Sequence, residues 1–294
     1  QHFTDRRQRQ MCIRDSRNYD HYWNTCPTTQ PGSSAFSESE TLANSIYMQD
    51  EVADADLYVT MHTGVWIMLY PWGKWPEQPS DWELFHHVRD EVNSNISDIP
   101  IRNANQGLYP NCGTSRDYGY GVMGFPTFTF ETDDEQFLLG TVEPLSERLG
   151  EELDVMNYLI QNVWYWRARL QVNSIHIEDG YLRLDVDNLG HATTRNATLI
   201  QTDENGVAIW ESTNFTVNAT SNAVLDLGLY YGGNENIGNW SLYYQKRVID
   251  SSTWVTESVG ADKIEATKVK TSLLPYPNVV LTLVAVLLAG KKRS

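Results

Sequence analysis

Basic residues are scarce in this sequence. Lys and Arg number 22 against 38 Asp and Glu, for a net charge of −16 and an isoelectric point near 4.8. A nucleic-acid partner is excluded on that balance, because phosphate backbones recruit basic surfaces. Cysteine is scarcer still. Cys12, Cys26 and Cys112 cannot build a disulfide framework, and Cys26 with Cys112 is the one pairing considered. Long apolar runs are missing too. The longest, 279–290, would rise about 18 Å as a helix, short of a hydrocarbon core of roughly 30 Å. Residues 1–16 hold no signal-peptide apolar region.

What is present suffices for folded cores: 41% hydrophobic and 12% aromatic residues. Charge is distributed unevenly, with basic ends and an acidic middle, the pattern of an acidic, exported protein. Sequons at Asn95, Asn196, Asn214, Asn218 and Asn239 point the same way, three of them crowded into 196–220. The string RQMCIRDS resembles translated adapter read-through, so 1–16 are expected to be non-native, with the true protein beginning upstream.

From 17 to 170 strand and helix patterns alternate. Residues 56–62 and 126–131 read as buried parallel strands, and 39–54, 81–94 and 144–170 read as helices. The expectation is an α/β sheet flanked by helices. Past 170 the period changes to two, with short strands separated by turn clusters such as Glu178-Asp179-Gly180 and Asp203-Glu204-Asn205-Gly206. A small antiparallel β-sandwich of immunoglobulin-like kind is expected over 171–258, then a linker at 259–276. The stretch 277–294, proline, apolar run and basic end, reads as a hydrophobic anchor or sorting tail that could attach the protein to a membrane or cell surface.

Polar residues stand where open α/β sheets place their sites, at the ends of strands: His62 closes the first, Glu131 the later one. His62 is followed by Tyr70-Pro71, and Glu131 ends Phe128-Thr129-Phe130-Glu131. Tyr109 precedes Gly113-Thr114-Ser115-Arg116-Asp117, and Arg17-Asn18 precedes a Ser37-Glu38-Ser39-Glu40-Thr41 run. These five ordered segments resemble the M14 zinc carboxypeptidases, and the fold class implied is the second part of a truncated carboxypeptidase-like mixed sheet. The resemblance makes His62 a zinc ligand and Glu131 the general base. Arg17 becomes the clamp on the substrate's terminal carboxylate, and Tyr109 a mobile residue closing over it. It also puts Arg116 at the base of the side-chain pocket, where its charge suggests a preference for C-terminal Glu or Asp.

The family's zinc, Zn2+ on two His and one Glu, needs a His-x-x-Glu motif that occurs nowhere in this sequence. Truncation upstream accounts for that, and the chain by itself is expected to bind zinc weakly and to be inactive. The implied whole is an extracellular metallocarboxypeptidase acting on peptides or proteins with a free C-terminus. The alternative is a non-catalytic surface binding protein with a degenerate peptidase domain.

Overall fold

A computed structural model describes residues 17–27, 30–132, 142–231, 239–245 and 254–266. The expected non-native segment 1–16 and the expected tail 277–294 lie outside the described residues. The first part holds a four-stranded mixed sheet in the order β1-β4-β2-β3. Its strands are β1 (Tyr58–Thr63), β2 (Ile67–Tyr70), β3 (Ile101–Asn103) and β4 (Thr127–Thr132). β1 runs parallel to β4 and β2 parallel to β3, while β2 opposes β4.

Strand alternation sorts this sheet's side chains to two faces. Met68, Tyr70, Phe128 and Phe130 join one buried cluster with Leu84, Phe85, Val88 and Val92 of α2 (Trp82–Asn95) and with Val155 and Leu159 of α5 (Val142–Gln161). The α2 residues recur at helical spacing, so one stripe covers the sheet and the polar stripe stays wet. Ile67 and Leu69 face the other way, against Ala104 of the one-turn α3 (Ala104–Gly107), capped by the Asn103 side chain. On that side Met48 of α1 (Ser39–Asp50) packs with Tyr19, Phe125 and Tyr118, the last from α4 (Ser115–Gly121). The expected mixed α/β sheet flanked by helices is the architecture found.

The second part is antiparallel throughout except for one edge strand. Sheet β10-β6-β5-β13 comprises β5 (Leu170–Glu178), β6 (Tyr181–Asn188), β10 (Ser221–Leu229) and β13 (Ile264–Ala266), the last parallel to β5. Sheet β12-β11-β7-β8 comprises β7 (Thr194–Thr202), β8 (Ala208–Glu211), β11 (Asn239–Gln245) and β12 (Trp254–Val259), with β9 (Phe215–Val217) also paired to β7. Inward residues of both sheets, among them Ile175, Leu184, Leu199, Trp210 and Leu242, form one core. Strand pairing runs on to Ala266, so the expected linker beginning at 259 starts as sheet: Ile264 packs on that core and its backbone adds to the edge of β5.

Where the first part ends, the buried Arg167 and its neighbour Arg169 both reach back to Asp56, ahead of β1, at 3.1 and 2.9 Å. The second part touches the first beside them. His191 stacks on His87 of α2 with ring centroids 3.8 Å apart.

Candidate active site

Parallel pairing sets His62 of β1 directly beside Glu131 of β4. Both strands end there, so the two side chains emerge together, with His62 Nδ1 3.4 Å from Glu131 Oε2. The carboxylate is the more enclosed of the two, at 12% exposure against 38% for the imidazole. Its hydrogen bond raises the His62 pKa above the ordinary value, opposed by burial and by the charge of Arg17. Gly64 follows at φ 149°, turning the chain away from the pair.

Arg17 lies close enough to oppose charge on His62, and its Nη2 donates to the Tyr109 hydroxyl at 3.0 Å. Tyr109 is exposed. The anchor for this corner is the fully buried Asn18. Its amide donates to the carbonyls of Pro31 and Ser34 and to Ser37 Oγ, and its Oδ1 accepts from Glu38 N. On the other flank Tyr19 N donates to the carbonyl of Gly113, where a side chain would strike the Arg17 carbonyl and φ is 65°. A disulfide joins Cys26 to Cys112 and ties the Arg17 segment to the loop after Tyr109.

Arg116 sits at the start of α4, a helix formed because Thr114 caps it by accepting from Asp117 N. It is buried, donating from Nε to Asp117 at 3.0 Å, from Nη2 to Asn111 at 2.9 Å and from Nη1 to Thr129 at 3.4 Å. Burial lowers its pKa, Asp117 pushing the other way. Gly73 closes the roof: its N–H donates to Asp117, and any side chain there would collide with Asn111 and Arg116. The guanidinium is thus already balanced before any substrate arrives.

Every residue singled out from the sequence falls in this region: His62 with Glu131, Arg17 with Tyr109, and Arg116 beneath Thr129. Asn18, Asn111 and Thr129, which hold the others in place, were not singled out. An Asn directly following Arg17 was the one available signal. As for metal, His62 offers one imidazole, and among the described residues no group of three or more His, Cys, Asp or Glu could hold an ion. The described residues therefore do not complete a zinc site.

A mixed sheet flanked by helices, with these groups converging at one end of adjacent strands, makes an α/β domain of the kind the sequence resemblance implies. The family described as zinc carboxypeptidase matches residues 5–147 of the chain. The sequence is 27% identical over 176 residues to zinc carboxypeptidase A 1 of Drosophila melanogaster, covering 51% of this chain and 40% of that protein. To carboxypeptidase B of Helicoverpa zea it is 31% identical over 133 residues, 40% of this chain and 31% of that one. Among solved structures, the carboxypeptidase A from Helicoverpa armigera aligns with a TM-score of 0.44 at 19% identity, over 50% of this chain and 41% of that chain. The chain spans less than half the length of the curated relatives it matches.

Proposed function

We propose that the protein is an extracellular zinc-dependent metallocarboxypeptidase, removing C-terminal residues from peptides, with 17–170 as part of its catalytic domain and 171–258 as an immunoglobulin-like accessory domain. The observation that carries this reading is the His62–Glu131 pair with Arg17 and Tyr109 beside it. Glu131 is the general base, accepting a proton from the attacking water and returning it to the leaving amine. Arg17 takes the substrate's terminal carboxylate through two parallel N–H donors, and Tyr109 follows that carboxylate as a lid. His62 is one metal ligand. Zinc supplies a water of lowered pKa when bound, and its other ligands come from outside the described residues.

Arg116 is the floor of the side-chain pocket, and since Asp117 already offsets its charge, the preference for C-terminal Glu over Phe or Lys should be slight. In a zinc-loaded enzyme carrying this domain, Glu131→Gln is expected to lower turnover by about 10²- to 10⁴-fold while peptide affinity holds. Wild-type turnover in that variant sinks the assignment, and equal affinity for peptide acids and peptide amides removes Arg17 from its role.

A further inference from the structure

Two of the five sequons stand in opposite environments once the chain is folded. In Asn196-Ala197-Thr198 the asparagine lies partly buried on β7, its amide donating to Gln245 on β11 at 2.6 Å. Thr198 is 7% exposed and spends its hydroxyl on the Asn214 side chain. Asn218-Ala219-Thr220 is the opposite case. It forms the exposed turn between β9 and β10, and both Asn218 and Thr220 face solvent.

That turn is held by its backbone, which leaves the side chains out of the framework. The Asn218 carbonyl accepts from Asn188 and from Ser221, Ala219 N donates to Thr193 Oγ1, and Thr220 N donates to the Gly190 carbonyl. A groove of about 310 Å³, lined by Asp187, Asn188, Leu189, Thr220, Ser221 and Asn222, opens beside it. Its polar side chains and the apolar surface between them suit a sugar ring, which offers hydroxyls on its rim and an apolar face.

We propose that Asn218 is an N-glycan acceptor whose first sugar lies along this groove, and that Asn196 is not an acceptor in the folded protein. In the transfer, Asn218 Nδ2 bonds to the anomeric carbon of a lipid-pyrophosphate-linked oligosaccharide. The bond from that carbon to the pyrophosphate oxygen breaks, the lipid pyrophosphate leaves, and the transferase removes one amide proton. A glycan on Asn196 displaces the amide from Gln245 and pries β7 from β11, so modified chains are lost from the folded pool. The inference rests on the export proposed above and owes nothing to the peptidase chemistry.

The full chain, given a cleavable leader and passed through a eukaryotic secretory host, tests it whatever its native compartment. Monomeric protein from the lumen is deglycosylated enzymatically in heavy-oxygen water, and each former acceptor is read by mass spectrometry as a labelled Asp. Label at 218 and none at 196 is expected, and Asn218→Gln, an exposed change, should remove one glycan step on a gel. An unlabelled 218, or label at 196 in folded protein, overturns the proposal.

Discussion

Two neighbouring residues decide what the proposed pocket floor can do. Arg116 and Asp117 are 3% and 2% exposed, and each satisfies the other. Breaking a buried pair by removing one partner leaves an uncompensated charge, typically costing about 3–5 kcal/mol. Asp117→Asn is therefore expected to lower unfolding free energy by about that much, measured by urea titration, and a loss below about 1 kcal/mol would show the pair to be solvated. His62 and Glu131 were legible as polar strand-end residues because strand ends are readable from pattern, and parallel pairing then brings them together. The bonds that Arg116 makes to Asn111 and Thr129 were not legible. Asn111 and Thr129 approach it only when the loop before α4 folds over β4, and nothing in local spacing reports that.

Among the elements, legibility followed periodicity. The buried stripe of α2 repeats at helical spacing and its bounds moved by one residue, whereas β2 has four consecutive buried residues and therefore no alternation to read. The expected helix at 144–170 stops at Gln161, where a 3₁₀ turn, Val163–Trp166, swings Trp166 into the core of the first part and aims the chain into β5. No apolar period marks that switch. Cys26 and Cys112 carry the complementary lesson, since the sequence left them as the pair to consider but only folding sets the Arg17 segment against the loop after Tyr109. Their bridge closes 86 residues, and the chain-entropy relation puts its stabilisation at about 4–5 kcal/mol. Reduction, or Cys26→Ser with Cys112→Ser, should shift the urea midpoint of the catalytic segment downward. It should also weaken the binding of peptide carboxylates, because Arg17 loses its fixed position. An unchanged midpoint would mean that the hydrogen bonds around Asn18 hold that corner unaided.

For the whole molecule, the union of its two parts is the feature that no segment of sequence announces. The contact is made of polar and aromatic groups: the His191 N–H donates to the Tyr165 carbonyl at 2.8 Å, and its ring stacks on His87 and lies tilted against Trp166. Burial, reinforced by the charge of His87, lowers the His191 pKa to about 4 from 6.5, and burial lowers His87 as well, against Asp90 and Glu91, which favour its charged form. The sign of the effect follows. Folding prefers neutral His191, so its contribution is complete above pH 6.5 and is lost as pH falls toward 4, where the unfolded chain takes up the proton first. The full shift converts to about 3 kcal/mol, and partial solvent access reduces this to about 1–2 kcal/mol. Carboxylates titrate in the same window, so the informative quantity is a difference. His191→Asn should lose about 1–2 kcal/mol less stability than the parent between pH 7 and pH 4, and the two stability curves should run parallel above pH 7. Curves that run parallel across the whole range would show that the stacked pair is solvated and that backbone bonds such as His191 N–H to the Tyr165 carbonyl hold the junction without it.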